Sequence, residues 1–303
     1  MIIIQMMGGL GNQMFQYALY RQLISMGKEV KMDDRAGFVE DMQRDPELWV
    51  FGIDYERASK KEIIKMRDSS PALTAKVRRK LFGRHNNSYF EENKCFQSKI
   101  FDWDNIYLEG YWQSEKYFQD VGDELRQEFS VERLKNNPDK RFRLSKQSES
   151  YLLEIEQTQS VSIHVRRGDY LLPKNQELFG SICTDYYYEQ AIKAVTERYP
   201  DCVFYVFTND EEWSCEWLKR FTDGKNKFIN VEVPEHKDYE ALALMSRCKH
   251  NILANSSFSW WASYLNDNPS KMVMAPEKWM NGWDCSDIYR SDMIKVKSEK
   301  VEN

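Results

Sequence analysis

The chain has 303 residues, 42% of them apolar, with nine Trp, seventeen Tyr and sixteen Phe, enough for packed cores in about two domains. Its formal net charge is −5, from 43 basic and 48 acidic side chains, so no global positive field favours nucleic acid and any anion site is a local device. The six cysteines (Cys95, Cys183, Cys202, Cys215, Cys248, Cys285) form no C-x-x-C pair, and the four histidines form no ligand-spaced cluster with them; reduced thiols and no structural zinc are expected.

In chain order, an apolar strand from Met1 to Met7 leads into the tight loop GGLGNQ and then a helix, MFQYALYRQLISM, with Phe15, Leu19, Leu23 and Met26 at helical spacing. Gly27 ends it and KEVKM is a second strand, which makes a β-loop-α-β start. The opening MIIIQMM is too short and lacks the basic leader of a signal peptide. No stretch approaches the roughly 18 apolar residues of a membrane span, so the expected location is the cytoplasm. The N-x-S sequons at Asn86 and Asn255 then carry no weight.

From about Asp34 to Ser150 the pattern weakens and its topology is not assigned. SSPALTAKVRRKLFG is a charge-rich helix within it. Its Lys76, Arg78, Arg79, Lys80 and Arg84, with Leu73, Val77 and Leu81, fit either a solvated helical face or a helix lying on an anionic membrane, which would place the protein peripherally at the inner membrane face. LKNNPDKRFRLSKQSES, residues 134–150, has no core face and is the expected linker. Two domains follow, residues 1–145 and 146–303.

Beyond it, the strands SVSIHV, CVFYVF, KFINVEV, HNILA and KMVMA alternate with helices of roughly 10 to 15 residues, the pattern of parallel β-α units and of a nucleotide-binding half. Three polar clusters follow strands and so share one sheet edge: HVRRGDY with His164, Arg166, Arg167 and Asp169; TND with Asn209 and Asp210; and NSS with Ser256 and Ser257. Helix-start amides and hydroxyls at Ser256 and Ser257 suit a phosphate, while capping alone would explain Asp210 or Ser256 taken singly. Trp260 and Trp261 fit core packing better than sugar stacking.

GGLGNQ also invites a dinucleotide fingerprint, with Asp33 or Asp34 near the end of strand two; that would make a nicotinamide-dependent oxidoreductase. Met14, however, stands where a glycine or alanine lets helix and strand pack closely. The glycines otherwise indicate a close backbone approach, with Asn12 and Gln13 as side-chain donors, or merely a tight β-to-α turn. The D-x-D in FDWDN, Asp102 and Asp104, reads as a solvated turn rather than a cation site.

GGLGNQMFQYA, HVRRGDY, FTND and ILANSSFSWWASYL together resemble the α-1,2-fucosyltransferases of bacteria and animals, in the right order over residues 1–275, although residues 34–150 contribute almost nothing. The resemblance implies an α/β, GT-B type architecture of two Rossmann-like domains facing a cleft, the first mainly on the acceptor side and the second binding the donor. It implies an inverting transfer of L-fucose from GDP-fucose to O2 of a terminal galactose. By the same resemblance, Arg166 matches the arginine that binds the β-phosphate of GDP, and His164 its companion near the nucleotide. Gly9, Gly11, Asn12 and Gln13 match residues near phosphate and fucose, and Asn209, Asp210, Ser256, Ser257 and Phe258 the nucleotide side. Asp169 is the first candidate for the base that takes the acceptor proton, though it could instead anchor Arg166 or Arg167. With the D-x-D outside the nucleotide half, no metal is expected. A non-catalytic nucleotide-sugar or carbohydrate-binding protein would carry similar clusters.

Overall fold

The computed structural model describes residues 1–39, 44–83, 87–221 and 227–299. The chain divides into two compact units, Met1–Glu128 with Ser286–Ile288, and Phe129–Cys285 with Tyr289–Asn303. Each is an α/β layer with a parallel sheet, so two Rossmann-like units are present, as a GT-B type fold requires.

The first unit runs β1 (Ile2–Gln5), α1 (Leu10–Ser25), β2 (Val30–Asp33), α2 (Lys60–Met66), α3 (Leu73–Phe82), β3 (Ser88–Phe90), β4 (Ile106–Glu109) and α4 (Gly122–Glu128). Its sheet has the order β2-β1-β4-β3 with every pairing parallel. A parallel strand covered on both faces needs apolar side chains in succession, which is why IIIQ of β1 is buried throughout. The tight loop expected over GGLGNQ is shorter than that. Gly8, at φ +74°, makes the turn, Gly9 is the extended N-cap, and α1 has already begun at Leu10. Gly11, Asn12 and Gln13 are therefore first-turn helix residues, and Gly11 is buried.

The second unit runs α5 (Val131–Lys135), α6 (Lys146–Gln157), β5 (Gln159–Val165), α7 (Pro173–Phe179), α8 (Asp185–Arg198), β6 (Cys202–Thr208), α9 (Glu211–Leu218), β7 (Lys227–Asn230), α10 (Asp238–Arg247), β8 (His250–Ile252), α11 (Ser257–Leu265), β9 (Val273–Pro276) and β10 (Met293–Val296). The sheet order is β10-β9-β8-β5-β6-β7, all parallel. Counted from β5 as the first strand, this is the doubly wound 3-2-1-4-5-6 order, whose reversal point lies between β5 and β8. Val161, Ile163, Phe204, Val206, Ile252 and Met274 from the strands pack with Tyr187, Tyr188 and Trp217 from the helices as its core.

The boundary falls at Glu128/Phe129 rather than at 145/146, and residues 134–150 are not a linker. Their apolar residues are sparse but committed: Leu134 and Leu144 are buried, and the N–H and hydroxyl of Ser145 both bond to the buried carboxylate of Glu240. Ser145 also caps α6 through the Ser148 amide.

Candidate active site

In a parallel sheet all carboxyl ends share one edge, and the reversal point opens a crevice there for a ligand. In the second unit the β5 and β8 loops flank that point. HVRRGDY leaves β5 and ANSS leaves β8, and the hydroxyl of Tyr170 donates to the carbonyl of Asn255 at 2.9 Å, tying one loop to the other. The TND segment leaves β6 on the far side of β5. The three polar clusters read from sequence are thus side by side at one edge.

The two adjacent arginines have different surroundings. Arg167 donates from Nε to Asp210 Oδ2 at 3.2 Å, and its guanidinium lies 4.2 Å from the centroid of the Trp213 ring. Its backbone N–H donates to Asn209 Oδ1 at 2.9 Å. Asp210 is engaged twice, since Oδ1 also accepts the Trp213 amide and caps α9. Asn209 and Asp210 therefore hold the β5 loop in place. Gly168 allows this close packing, for a Cβ there would sit 2.4 Å from Asn209 Nδ2. Arg166, half-buried, has its guanidinium 6.0 Å from the Tyr170 ring centroid. The side chain of Asp169 lies outside the described residues.

His164 ends β5 as a buried side chain, 5% exposed, with its ring 5.7 Å from that of Phe258 and its carbonyl accepting from Tyr188 Oη. Burial first, and then the Arg166 charge, hold its pKa down to about 3, so the imidazole is neutral at physiological pH. Its Nδ1 is buried with no hydrogen-bond partner among the described residues. Linkage follows from these facts. An unfolded histidine protonates near 6.5, whereas His164 in the fold stays neutral down to about 3. The stability it contributes is complete above about pH 6.5 and is lost as pH falls toward 3. Urea unfolding of wild type and His164→Gln at pH 7, 5.5 and 4.5 should show the wild type losing about 1.4 kcal/mol per pH unit more than the variant. Parallel losses would mean that the histidine is protonated in the native state.

Ser256 caps α11, its hydroxyl accepting the Phe258 amide at 3.3 Å. The helix dipole and first-turn amides at Ser257 and Phe258 favour an anion at this start. Asn255 is buried, donating to the Trp279 carbonyl at 3.1 Å and accepting from the Cys183 thiol, so its sequon is a loop brace rather than an accessible acceptor. Trp260 and Trp261 are fully buried, core residues as expected.

The first unit has its own polar edge at the end of β1. Asn12 accepts from Gln113 Nε2 at 2.8 Å, which joins the β1 and β4 loops across that sheet's reversal point. Gln13 is spent on structure: Nε2 donates to the carbonyls of Gly8 and Asp45, and Oε1 accepts the Glu47 amide. Arg44, which no motif suggested, lies over the turn, its Nη1 3.3 Å from where a Cβ on Gly9 would be. Neither Arg44 nor Gln113 had a sequence signal, because both sit in the stretch without clear periodicity.

The acidic residues that a dinucleotide site would need are occupied. Asp33 is fully buried and accepts from the Arg35 and Ala36 amides and from Tyr107 Oη, while Asp34 accepts from Tyr55 Oη and Arg57 Nε. Met14 is buried in the helix-strand contact. The D-x-D precedes β4 and so lies at the amino edge of its sheet, opposite the ligand edge; Asp104 is exposed there and pairs with Lys28 at 3.2 Å. Among the described residues no group of three or more His, Cys, Asp or Glu could hold a metal ion, and no helix is long and apolar enough to cross a membrane.

The chain is 29% identical over 291 residues to an α-1,2-colitosyltransferase of Escherichia coli, covering 92% of each chain. It is 31% identical over 311 residues to the O-antigen biosynthesis glycosyltransferase WbnK of Escherichia coli, covering 95% of this chain and 98% of that one. Galactoside α-(1,2)-fucosyltransferase 2 of Hylobates lar is 24% identical over 271 residues, 86% of this chain and 68% of that one. The model of glycosyl transferase family 11 matches residues 1–296, and the chain therefore belongs to glycosyl transferase family 11.

Proposed function

We propose that this glycosyltransferase moves L-fucose from GDP-fucose to O2 of a terminal galactose, with inversion. The observation that carries the reading is Arg166 on the loop that leaves β5 at the reversal point of the second unit's sheet, a loop tied through Tyr170 to the one that leads from β8 into the capped start of α11. Breaking the bond between the fucose anomeric carbon and the phosphate oxygen leaves positive charge on the sugar and negative charge on GDP. A positioned guanidinium and helix-start amides stabilise that leaving group. A nucleotide-sugar polar group would also satisfy His164 Nδ1, whose isolation otherwise costs roughly 1–3 kcal/mol. The acceptor hydroxyl attacks from the opposite face and gives up its proton to a base, for which Asp169 is the first candidate.

The α-1,2-colitosyltransferase relative supports a second donor reading, a colitosyl nucleotide, colitose being L-fucose without its 3-hydroxyl. A site that hydrogen-bonds that hydroxyl discriminates strongly against the deoxy sugar. Incubating the protein with GDP-fucose and lactose or other galactosides should release GDP and give a product whose NMR spectrum shows fucose on galactose O2. GDP-colitose in parallel decides between donors, and binding of either without GDP release would make the protein a binder. The same assay bears on metal. We expect full activity in excess EDTA, since the arginine and helix-start donors offset the diphosphate charge and the D-x-D lies at the wrong sheet edge. Activity lost to EDTA and restored only by Mg²⁺ or Mn²⁺ would overturn this.

A further inference from the structure

α3 is a ten-residue helix, LTAKVRRKLF, about 15 Å long, that buries none of its residues. Its inner side is held by arginines. Arg79 donates to the carbonyls of Asp68 and Ser70 at 2.9 and 2.6 Å, and Arg78 pairs with the Asp68 carboxylate. The outer side carries Leu73, Val77 and Leu81, one helical turn apart, at 78%, 51% and 68% exposure, with Phe82 at 77% at the end. Lys76 and Lys80, both exposed, fall along one flank of this stripe at helical spacing. The segment from Ser69 to Gly83 has no acidic residue, in a chain whose net charge is −5.

We propose that this face of α3 rests on an anionic lipid bilayer. A merely solvated helix has no reason to present three apolar side chains in line. Here their burial among acyl chains would be accompanied by lysines whose stems lie along the apolar boundary while their ammonium groups meet lipid phosphates. Pairing with a second copy through the same face would set lysine against lysine with no carboxylate on the helix to relieve them. The stripe stands on the outer side of the helix, opposite the arginines, a shape that suits a flat surface.

The test is flotation with vesicles of phosphatidylcholine alone and with a third phosphatidylglycerol, at low and high salt, using the whole chain. Wild type should float with the anionic vesicles, less so at high salt, and little with the neutral ones. Lys76→Glu with Lys80→Glu should weaken binding by roughly fivefold or more per lysine, and Val77→Glu with Leu81→Glu should abolish it. All four positions are exposed, so circular dichroism and transfer to a soluble galactoside should be unchanged. Equal binding to both vesicle types, or variants that float like wild type, would overturn the proposal. So would self-association in sedimentation velocity that Val77→Glu with Leu81→Glu removes, or floating lost only through a peptide or protein bound to the same face.

Discussion

Replacing Arg166 by alanine is expected to lower turnover by roughly 10²- to 10³-fold, the scale of losing one preorganised donor to a developing anion. The side chain is half-buried at the end of β5, with its guanidinium near Tyr170, and the backbone around it is set by Asn209 and by the Tyr170 bond to Asn255. The hydrogen bonds of these braces are made by backbone atoms and by the side chains of Asn209 and Tyr170, so the fold and circular dichroism should survive. Arg167→Ala is the instructive comparison, because that guanidinium is taken by Asp210 and Trp213 and acts by holding the loop. A second readout is independent of activity. The Arg166 charge is one of the two causes that depress the His164 pKa, so the imidazole should titrate higher in Arg166→Ala when followed by NMR. Near-wild-type turnover in Arg166→Ala would remove the arginine from the donor site.

Trp260→Ala is expected to destabilise the protein by about 3–5 kcal/mol, the cost of truncating a buried aromatic, and to lower the midpoint of thermal unfolding by on the order of 10 °C. Trp260 has no exposed surface. Its ring stacks on Tyr264 with centroids 5.3 Å apart, and Arg290 lies 4.7 Å above it, itself buried and held by Asp292 and Ser263. Removing the ring leaves a cavity and an arginine that has lost its aromatic partner. The loss would also reach the site, since α11 begins only a turn earlier at Ser257. Calorimetry on the variant separates core from platform. A sugar-stacking role would raise KM at unchanged stability, and an unchanged midpoint would sink the packing assignment.

The regular half of this chain is legible because its parallel strands are covered on both faces. Such strands appear as short runs rich in apolar and β-branched residues, and where each run stops the polar residues of the ligand edge follow, as in SIHVRRGDY and ILANSS. That reasoning is local, and it suffices to place His164, Arg166, Asn209, Asp210 and Ser256 on a common edge. It fails for short elements with little pattern of their own. β3 has three residues and β4 four; β4 takes its place beside β1 by pairing across about a hundred residues, Ile2 with Ile106, and β3 takes its place only at the outer side of β4. The supposed linker misled for the same reason: Leu134, Leu144 and Ser145 gain their role only from partners distant in sequence, Glu240 among them.

By itself the sequence determined that the protein has a half built of parallel β-α units, where its carboxyl strand edge runs, and which residue types stand on it, since these depend on strand periodicity and on where it ends. Only the tertiary structure decided how those residues divide their work. Whether an arginine is held by a neighbouring carboxylate, as Arg167 is by Asp210, whether Gln13 faces a ligand or ties down Asp45 and Glu47, and whether His164 is neutral are settled by atoms from other strands and loops. Hydrogen bonds and charge interactions act over a few ångströms in space, and no spacing along the chain encodes which distant segment will lie within that reach.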